Sequence, residues 1–170
     1  MGRCNDYIKH RIEEKQLPIS FRLVDIQAIH NPSLQTQFEQ EHIRLSKLTR
    51  KLEELHIWYG FHGTRESNLL KIAILGLLRS KHPSNSSPST DAGWFGSTLH
   101  GVHLSRHSDY ALKYSNDLAP LDPSESVKII LFKTIPGGSK HLVTKTVGLR
   151  PSEGYDSHSS PQFLRMVSLS

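Results

Sequence analysis

An early segment of the chain alternates between hydrophobic and polar positions. Between residues 21 and 29, Val24, Ile26 and Ala28 would lie on one side of an extended chain, with the polar residues between them on the other. A period of two with β-branched residues is typical of a strand that buries one face. The pattern therefore predicts a half-buried strand over 21–29.

A helical pattern follows directly. Asn31 can cap the free amides of a helix, and Pro32 suits the first helical position because it has no N–H to leave unpaired. The leucine-rich stripe after it has spacings of three, four and seven, which predicts one long helix over about 32–56. A second helix is predicted over about 66–77, with Gly76 near its end.

Short apolar runs separated by turns predict the remaining strands. These runs are 57–61, which leads into His62-Gly63-Thr64-Arg65, then 101–105, 127–134 and 163–169, with a short helix at about 108–114. Because 127–134 is apolar on both faces, we expect a buried strand there, with 141–147 as its neighbour after the turn at 136–138. Strands at both ends and a helical stretch between them indicate an α+β domain.

Composition restricts the class of protein further. A chain of 170 residues fits one domain, and its single cysteine, Cys4, permits no internal disulfide. No apolar run approaches the ~20 residues that cross a bilayer, and the start lacks the apolar core of a signal peptide. We expect an intracellular protein without membrane contact. The net charge of +5 permits nucleic-acid contact, although a surplus of five is modest and basic residues scattered over a solvated surface are the favoured explanation.

The order of these motifs resembles the catalytic domain of the poly(ADP-ribose) polymerases (PARPs). The motifs are Asn31-Pro32 before a helix, the aromatic strand into His62-Gly63-Thr64-Arg65, the helix ending near Gly76, Trp94-Phe95-Gly96, Gly101-Val102-His103-Leu104-Ser105, and Tyr114. The resemblance covers about residues 20–165. It implies an ADP-ribosyltransferase fold: a split antiparallel sheet with flanking helices that grips NAD and transfers its ADP-ribose.

The resemblance also defines the expected domain limits. A PARP-like domain would occupy 20–170, after a lead-in segment at 1–19. The third position of the family's catalytic triad lies on a late strand that should follow 163–169, so we expect the domain to lack its last strand and to expose a sheet edge. The Ser- and Pro-rich stretch 79–92 is expected to be a flexible loop.

Three residues match the family's NAD-binding positions. His62 matches the histidine that binds a ribose hydroxyl. Gly63 matches the glycine whose backbone pairs with the nicotinamide carboxamide, and a side chain there would obstruct that approach. Tyr114 matches the tyrosine that stacks on nicotinamide. The resemblance implies that His62, Gly63 and Tyr114 bind NAD if NAD binding is retained.

Other positions depart from the family pattern. His103 stands where active members carry a tyrosine as the second triad residue, and Ala111 replaces a serine that bonds the carboxamide. The chain supplies no residue for the third triad position. We therefore nominate no catalytic residue beyond the degenerate triad positions His62 and His103, and we expect an inactive domain without a cofactor.

Further motifs resemble a narrower group, the pseudo-PARP domains of the TASOR class. They are Gly101 to Asp109, the 129–132 strand, and Gly154-Tyr155-Asp156-Ser157-His158. That class contains a silencing-complex scaffold and a testis-expressed germline relative. The resemblance implies an interaction module of a nuclear gene-silencing or germline factor, acting in meiosis or the piRNA pathway. Its partners would be proteins of a nuclear silencing assembly, and its location the nucleus, with the cytoplasm as a second site.

Two alternatives remain open. One is an NAD-dependent mono-ADP-ribosyltransferase, a pentosyltransferase with NAD as its substrate, in which His103 partly replaces the tyrosine. The other is a nucleic-acid-contacting module on the same fold, whose binding would weaken steeply with salt. A zinc site at His100, His103 and His107 is disfavoured, because 11 histidines in the chain produce such spacings by chance. We expect no metal.

Overall fold

The computed structural model describes residues 21–48, 50–79, 82–85, 101–116, 122, 124–142, 152–160 and 164–168. Its elements, in chain order, are α1 (Pro32–Ser46), a 3₁₀ helix (Leu52–Leu55), β1 (Trp58–Gly63), α2 (Glu66–Leu75), β2 (Gly101–Ser105), α3 (Ser108–Leu112), a second 3₁₀ helix (Lys113–Asn116), β3 (Ile129–Thr134), β4 (Ser139–His141), β5 (Ser157–Ser159) and β6 (Leu164–Ser168). None of the helices in these ranges is long and apolar enough to cross a membrane.

The described strands form one sheet in the order β3-β1-β2-β6-β5-β4. β1 pairs with β3 along its whole length, from Trp58 opposite Thr134 to Gly63 opposite Ile129. Its pairing with β2 is recorded at a single position, Phe61 opposite Ser105. The described strands therefore form two halves of a sheet that meet at one residue pair, which is the split sheet that the resemblance implies.

The two halves bend toward each other. Thr134 ends β3 and Ser139 begins β4, although these strands are the outer members of the sheet. Five residue steps span at most about 18 Å. The outer strands of a flat sheet with this order would lie about 24 Å apart. The short connection thus requires a sharply curved sheet.

One hydrophobic cluster lies on one face of the sheet, where its two halves meet. Val102 and Leu104 are buried in β2, and Phe132 of β3 and Leu77, just after α2, pack against them. Gly60 in β1 leaves room for this packing, because a Cβ there would lie 2.9 Å from that of Leu104. Side chains alternate along a strand, so the residues on either side of these positions face the opposite surface.

The predicted start of α1 is confirmed, but its predicted end is wrong. Asn31 Oδ1 accepts a hydrogen bond from the Leu34 amide at 3.1 Å, and proline occupies the first turn. The helix ends at Ser46 rather than near residue 56. Arg50 pairs with Asp156 beyond the end of the helix, and Leu48 and Leu52 of the leucine stripe are 45% and 84% exposed, so neither supports a longer helix by packing.

The strand predicted over 21–29 is absent. Residues 21–30 have no regular secondary structure and all are exposed, including Val24 at 70% and Ile26 at 77%. A strand needs a neighbour to satisfy its backbone groups. None of the strands described here pairs with this segment.

The prediction for the strand at 127–134 needs correction as well. β3 is an outer strand with Leu131 53% exposed, so it is not buried on both faces. Most of its predicted neighbour, 141–147, lies outside the described residues. The strand described after the glycine turn, β4, pairs with β5, and this pair is parallel whereas the other described pairs are antiparallel. Gly137 and Gly138 therefore link the two sheet halves and do not close a hairpin.

Several predictions fall outside the described ranges. Most of the 79–92 stretch, the Trp94-Phe95-Gly96 motif, His100 and the lead-in 1–19 belong to this group. The expectation of a missing last strand stays a prediction. The described strands leave β3 and β4 at the sheet margins, and the last described strand, β6, lies inside the sheet between β2 and β5.

Candidate functional site

His62 lies where the two halves of the sheet separate. Its ring Nδ1 is 3.0 Å from the backbone carbonyl oxygen of His103, on the neighbouring half. Because a carbonyl only accepts, Nδ1 carries the hydrogen and Nε2 is left as an acceptor in the neutral ring. The ring meets Phe132 edge-on, with centroids 6.3 Å apart. His62 thus links β1 to β2 beside their single backbone pair.

The charge state of His62 follows from this environment. Burial lowers the pKa of His62, and the hydrogen bond to the His103 carbonyl opposes that change only in part. The ring is therefore neutral at pH 7. A neutral ring with a free Nε2 acceptor can accept a hydrogen bond from a hydroxyl group, such as that of a ribose.

Gly63 packs directly on α3. A Cβ at this position would overlap the Ala111 carbonyl oxygen, lie 2.7 Å from the Ala111 carbonyl carbon and lie 3.2 Å from the Cβ of Tyr114. The structure thus brings together Gly63, Ala111 and Tyr114, as the resemblance implies. It also gives Gly63 a packing role, because no other residue allows this approach.

Tyr114 is paired with a second tyrosine that sequence reasoning missed. The hydroxyl oxygens of Tyr110 and Tyr114 are 3.1 Å apart, and their ring centroids are 5.7 Å apart at 47°. The amino group of Lys113 lies 5.7 Å from the centre of the Tyr110 ring. The spacing of four residues on a helical stretch was the available signal for this pair.

His103 contacts His62 through its backbone. In the sheet, His103 lies opposite Met166 of β6, and Met166 lies opposite His158 of β5. Residues opposite each other share a face, so His103 and His158 are on the same face, about 10 Å apart. The structure brings the two degenerate triad positions together through a carbonyl group.

The Gly154 to His158 motif holds neighbouring parts of the fold together through Asp156. The Asp156 carboxylate accepts hydrogen bonds from both terminal nitrogens of Arg50 and, at 2.9 Å, from the Gly138 amide. Burial raises the pKa of Asp156, but the hydrogen bonds from Arg50 and Gly138 outweigh it, so the pKa is lowered overall. Gly137, with φ +60°, has no room for a side chain beside this carboxylate. The motif fixes β5 to β4 and to the segment after α1.

His158 is the other ionisable member of that motif. It is 1% exposed, and its Nε2 accepts a hydrogen bond from the Ser152 amide at 3.2 Å and lies 3.1 Å from the Ser152 hydroxyl. Burial lowers the pKa of His158, and the positive charge of Lys140 lowers it further. The ring is a neutral structural group.

The chemistry that these groups can perform is limited. Gly63 contacts the Ala111 carbonyl and Tyr114, and neither residue is a carboxylate. Within the described ranges, no group of three or more histidine, cysteine, aspartate or glutamate residues could hold a metal ion.

The split sheet, the histidine-glycine pair at its junction and the flanking helices define the PARP-like class of the α+β fold. Among solved structures, the chain is similar to the TASOR pseudo-PARP domain. The two share 21% sequence identity and superpose with a TM-score of 0.63, over 81% of this chain and 68% of that one. No protein-family model and no curated protein sequence matches the chain. The similarity establishes the fold.

Proposed function

We propose that this PARP-like domain is catalytically inactive and serves as a protein-interaction module of a nuclear gene-silencing or germline factor. It would act in the nucleus, within an assembly of silencing proteins. In this proposal the inherited NAD site is a packing element, and selection has kept the fold rather than the reaction.

The observation that carries the inactive assignment is the contact between Gly63 and Ala111. The resemblance implies that the group beside this glycine bonds the nicotinamide carboxamide. Here the matching residue is Ala111, which is 2% exposed, approaches Gly63 through its backbone carbonyl and has a methyl side chain that offers no hydrogen bond. A carboxamide placed there would lose a partner that it has in water, and an unsatisfied buried polar group costs about 1–3 kcal/mol.

The second triad position supports the same conclusion. His103 is shorter than the tyrosine expected there, and its backbone carbonyl is engaged by His62. Stabilising a cationic ribose in the transition state needs preorganised groups around the reacting carbon. His62 alone supplies an acceptor for a ribose hydroxyl, which is a binding contact and not catalysis.

The interaction role rests on the similarity to the TASOR pseudo-PARP domain, whose name describes a PARP fold without the enzyme. The same inference is supported by the Asp156 motif, which stabilises the half-sheet away from the NAD site. A fold maintained at a distance from a degenerate site is expected of a module that presents surfaces.

Labelled NAD tests the inactive assignment. The chain is incubated with NAD carrying a label on the adenylate, with and without a heat-inactivated nuclear extract as acceptor, and transfer is measured. We expect none. The matched gain-of-function variant combines His103→Tyr with Ala111→Ser, which restores two of the missing groups. If the wild type transfers label above the level of a denatured control, the proposal is wrong.

The interaction role needs a separate experiment. The tagged chain is expressed in germline-derived cells, its location is imaged and its neighbours are identified by crosslinking, with the tag alone as control. The proposal predicts nuclear enrichment and crosslinks to chromatin-silencing proteins. An exclusively cytoplasmic chain, or neighbours indistinguishable from those of the tag, would contradict it.

A further inference from the structure

Residues 24–29 have the sequence pattern of a strand, but none of the described strands pairs with them. Val24, Ile26 and Ala28 alternate with polar or charged residues, and all of these side chains are exposed. The Asp25 carboxylate holds the segment only locally, accepting hydrogen bonds from the Ile26 amide at 2.8 Å and the Gln27 side chain at 3.0 Å. Both bonds are exposed and are readily exchanged for a strand ladder.

β3 offers the complementary edge. Among the described strands its only neighbour is β1, so the opposite side of Ile129–Thr134 is a sheet margin. This margin has no proline and no glycine, and Leu131 on it is largely exposed. An apolar edge strand of this kind is a template for an added strand.

The two elements match in length and register. Each has six residues, and an antiparallel alignment that places Val24 opposite Thr134 ends with Ile29 opposite Ile129. In this alignment Ile26 lies opposite Phe132, and Ala28 opposite Ile130, on the face of β3 that contains the buried core. The added strand would therefore extend the apolar face of the sheet.

The charges select the same register. Asp25 falls opposite Lys133, and both side chains are exposed on the other face of the sheet. Opposite charges directly across a strand pair are stabilising, and like charges are destabilising. A parallel alignment that keeps this ion pair would place Arg22 beside the buried Ile130, which is unfavourable.

The position of Asn31 favours an edge on another molecule. Its side chain donates hydrogen bonds to the carbonyls of Ala73 and Ile74, at the C-terminal end of α2. β3 begins beside the other end of this helix, where Lys128 pairs with Glu66. Ten helical residues span about 15 Å, whereas the two residue steps from Ile29 to Asn31 reach about 7 Å. Residues 24–29 can therefore reach this alignment more readily on the β3 edge of a second copy than on β3 of the same chain.

We propose that two copies of this chain associate by exchange, each adding residues 24–29 as an antiparallel strand to the β3 edge of the other. The self-association is independent of the proposed function, because it involves neither the NAD site nor a silencing partner.

Charge reversal and mixing test the exchange. Sedimentation equilibrium is measured for the 170-residue chain, for Asp25→Lys and for Lys133→Glu. The wild type should dimerise, and each variant should raise the dissociation constant about tenfold, because every interface then contains like charges. An equimolar mixture of the two variants should restore the wild-type constant, since each interface of the mixed dimer again has opposite charges. Glu39→Lys, an exposed reversal on α1, is the matched control and should change nothing.

Three results would overturn the proposal. One is a wild type that stays monomeric at every concentration measured, including a monomer whose amides at 24–29 are protected from hydrogen exchange by its own β3. The second is a dimer indifferent to both reversals. The third is a mixture that remains as weak as the separate variants.

Discussion

The guanidinium of Arg50 donates two hydrogen bonds to the carboxylate of Asp156, although 106 positions separate the two residues in the chain. The same carboxylate accepts the Gly138 amide, and Glu54 lies 3.5 Å from Arg50. One ion-pair cluster thus ties the segment after α1 to both strands of the parallel pair. We attribute the early end of α1 to this cluster, which holds Arg50 beyond the last helical residue, Ser46.

Replacing this carboxylate should destabilise the fold. Asp156→Asn keeps the shape but removes the charge that Arg50 and Gly138 stabilise, and we expect a loss of about 1–2 kcal/mol in the free energy of unfolding, reduced by the partial exposure of the pair. Urea denaturation measures it. Glu41→Gln breaks the exposed pair with Arg44 on α1 and should cost less than about 0.5 kcal/mol. Equal losses in the two variants would contradict the structural role of Asp156.

Gly63 should be essential for folding whether or not NAD binds. Gly63→Ala forces a methyl group into the Ala111 carbonyl, and moving α3 away should cost about 2–3 kcal/mol. Gly138→Ala is the matched control, because its added Cβ would meet no atom closer than 3.6 Å. Thermal and urea unfolding of both variants check this. A Gly63→Ala protein as stable as the control would show that α3 does not pack on this glycine.

The Asn31 side chain should contribute to the stability of the fold through both its oxygen and its nitrogen. Asn31→Ala removes the cap of α1 and also leaves the last carbonyls of α2 without their side-chain donor, so we expect a loss of about 2 kcal/mol. Ser33→Ala, an exposed change in the first turn of the same helix, should cost much less. A small loss for both would mean that the contact between the two helices is not maintained in solution.

Stability should decrease as the pH falls from 7 to 5. The pKa values of His62 and His158 are both lowered in the folded state, so the unfolded chain binds protons first as the pH passes below about 6.5. The loss grows until the folded-state pKa values are reached. Urea titrations at several pH values measure this slope, and His158→Gln should reduce it. A stability that rises on acidification would contradict the buried neutral state of these rings.

Asp156 acts in a lower pH window. Its pKa is lowered in the folded state, so its contribution is complete above the unfolded value near 3.8 and disappears as the pH falls through the folded value. Acid unfolding below pH 4 should therefore be less steep in Asp156→Asn. The effect of the histidines on stability between pH 7 and 5 is therefore separable from the effect of Asp156 below pH 4.

Elements with local signals were predictable from the sequence. The strand into His62 and Gly63, the 101–105 strand and the cap at Asn31 depend on neighbouring residues, and the structure contains all of them. The end of α1 depends on the distant Asp156. The pairing of β4 with β5 depends on how the sheet curves. Neither long-range contact leaves a periodic signal in the sequence.

The site shows the same division. The proximity of Gly63, Ala111 and Tyr114 agrees with what the resemblance implied, because it follows from the order of the elements. The bond from His62 to the His103 backbone could not be foreseen, since it requires the sheet to separate after a single residue pair. The 21–29 segment has the alternating pattern of a strand, but it has no partner among the described strands, and a strand requires one.

Calorimetric titration of the purified chain with NAD tests the central claim most directly. The account predicts no heat beyond dilution, because Ala111 cannot bond the carboxamide and His103 does not replace the second triad residue. Saturable heat with a dissociation constant of about 100 μM or tighter, abolished by Tyr114→Ala, would show a working NAD site and contradict the account.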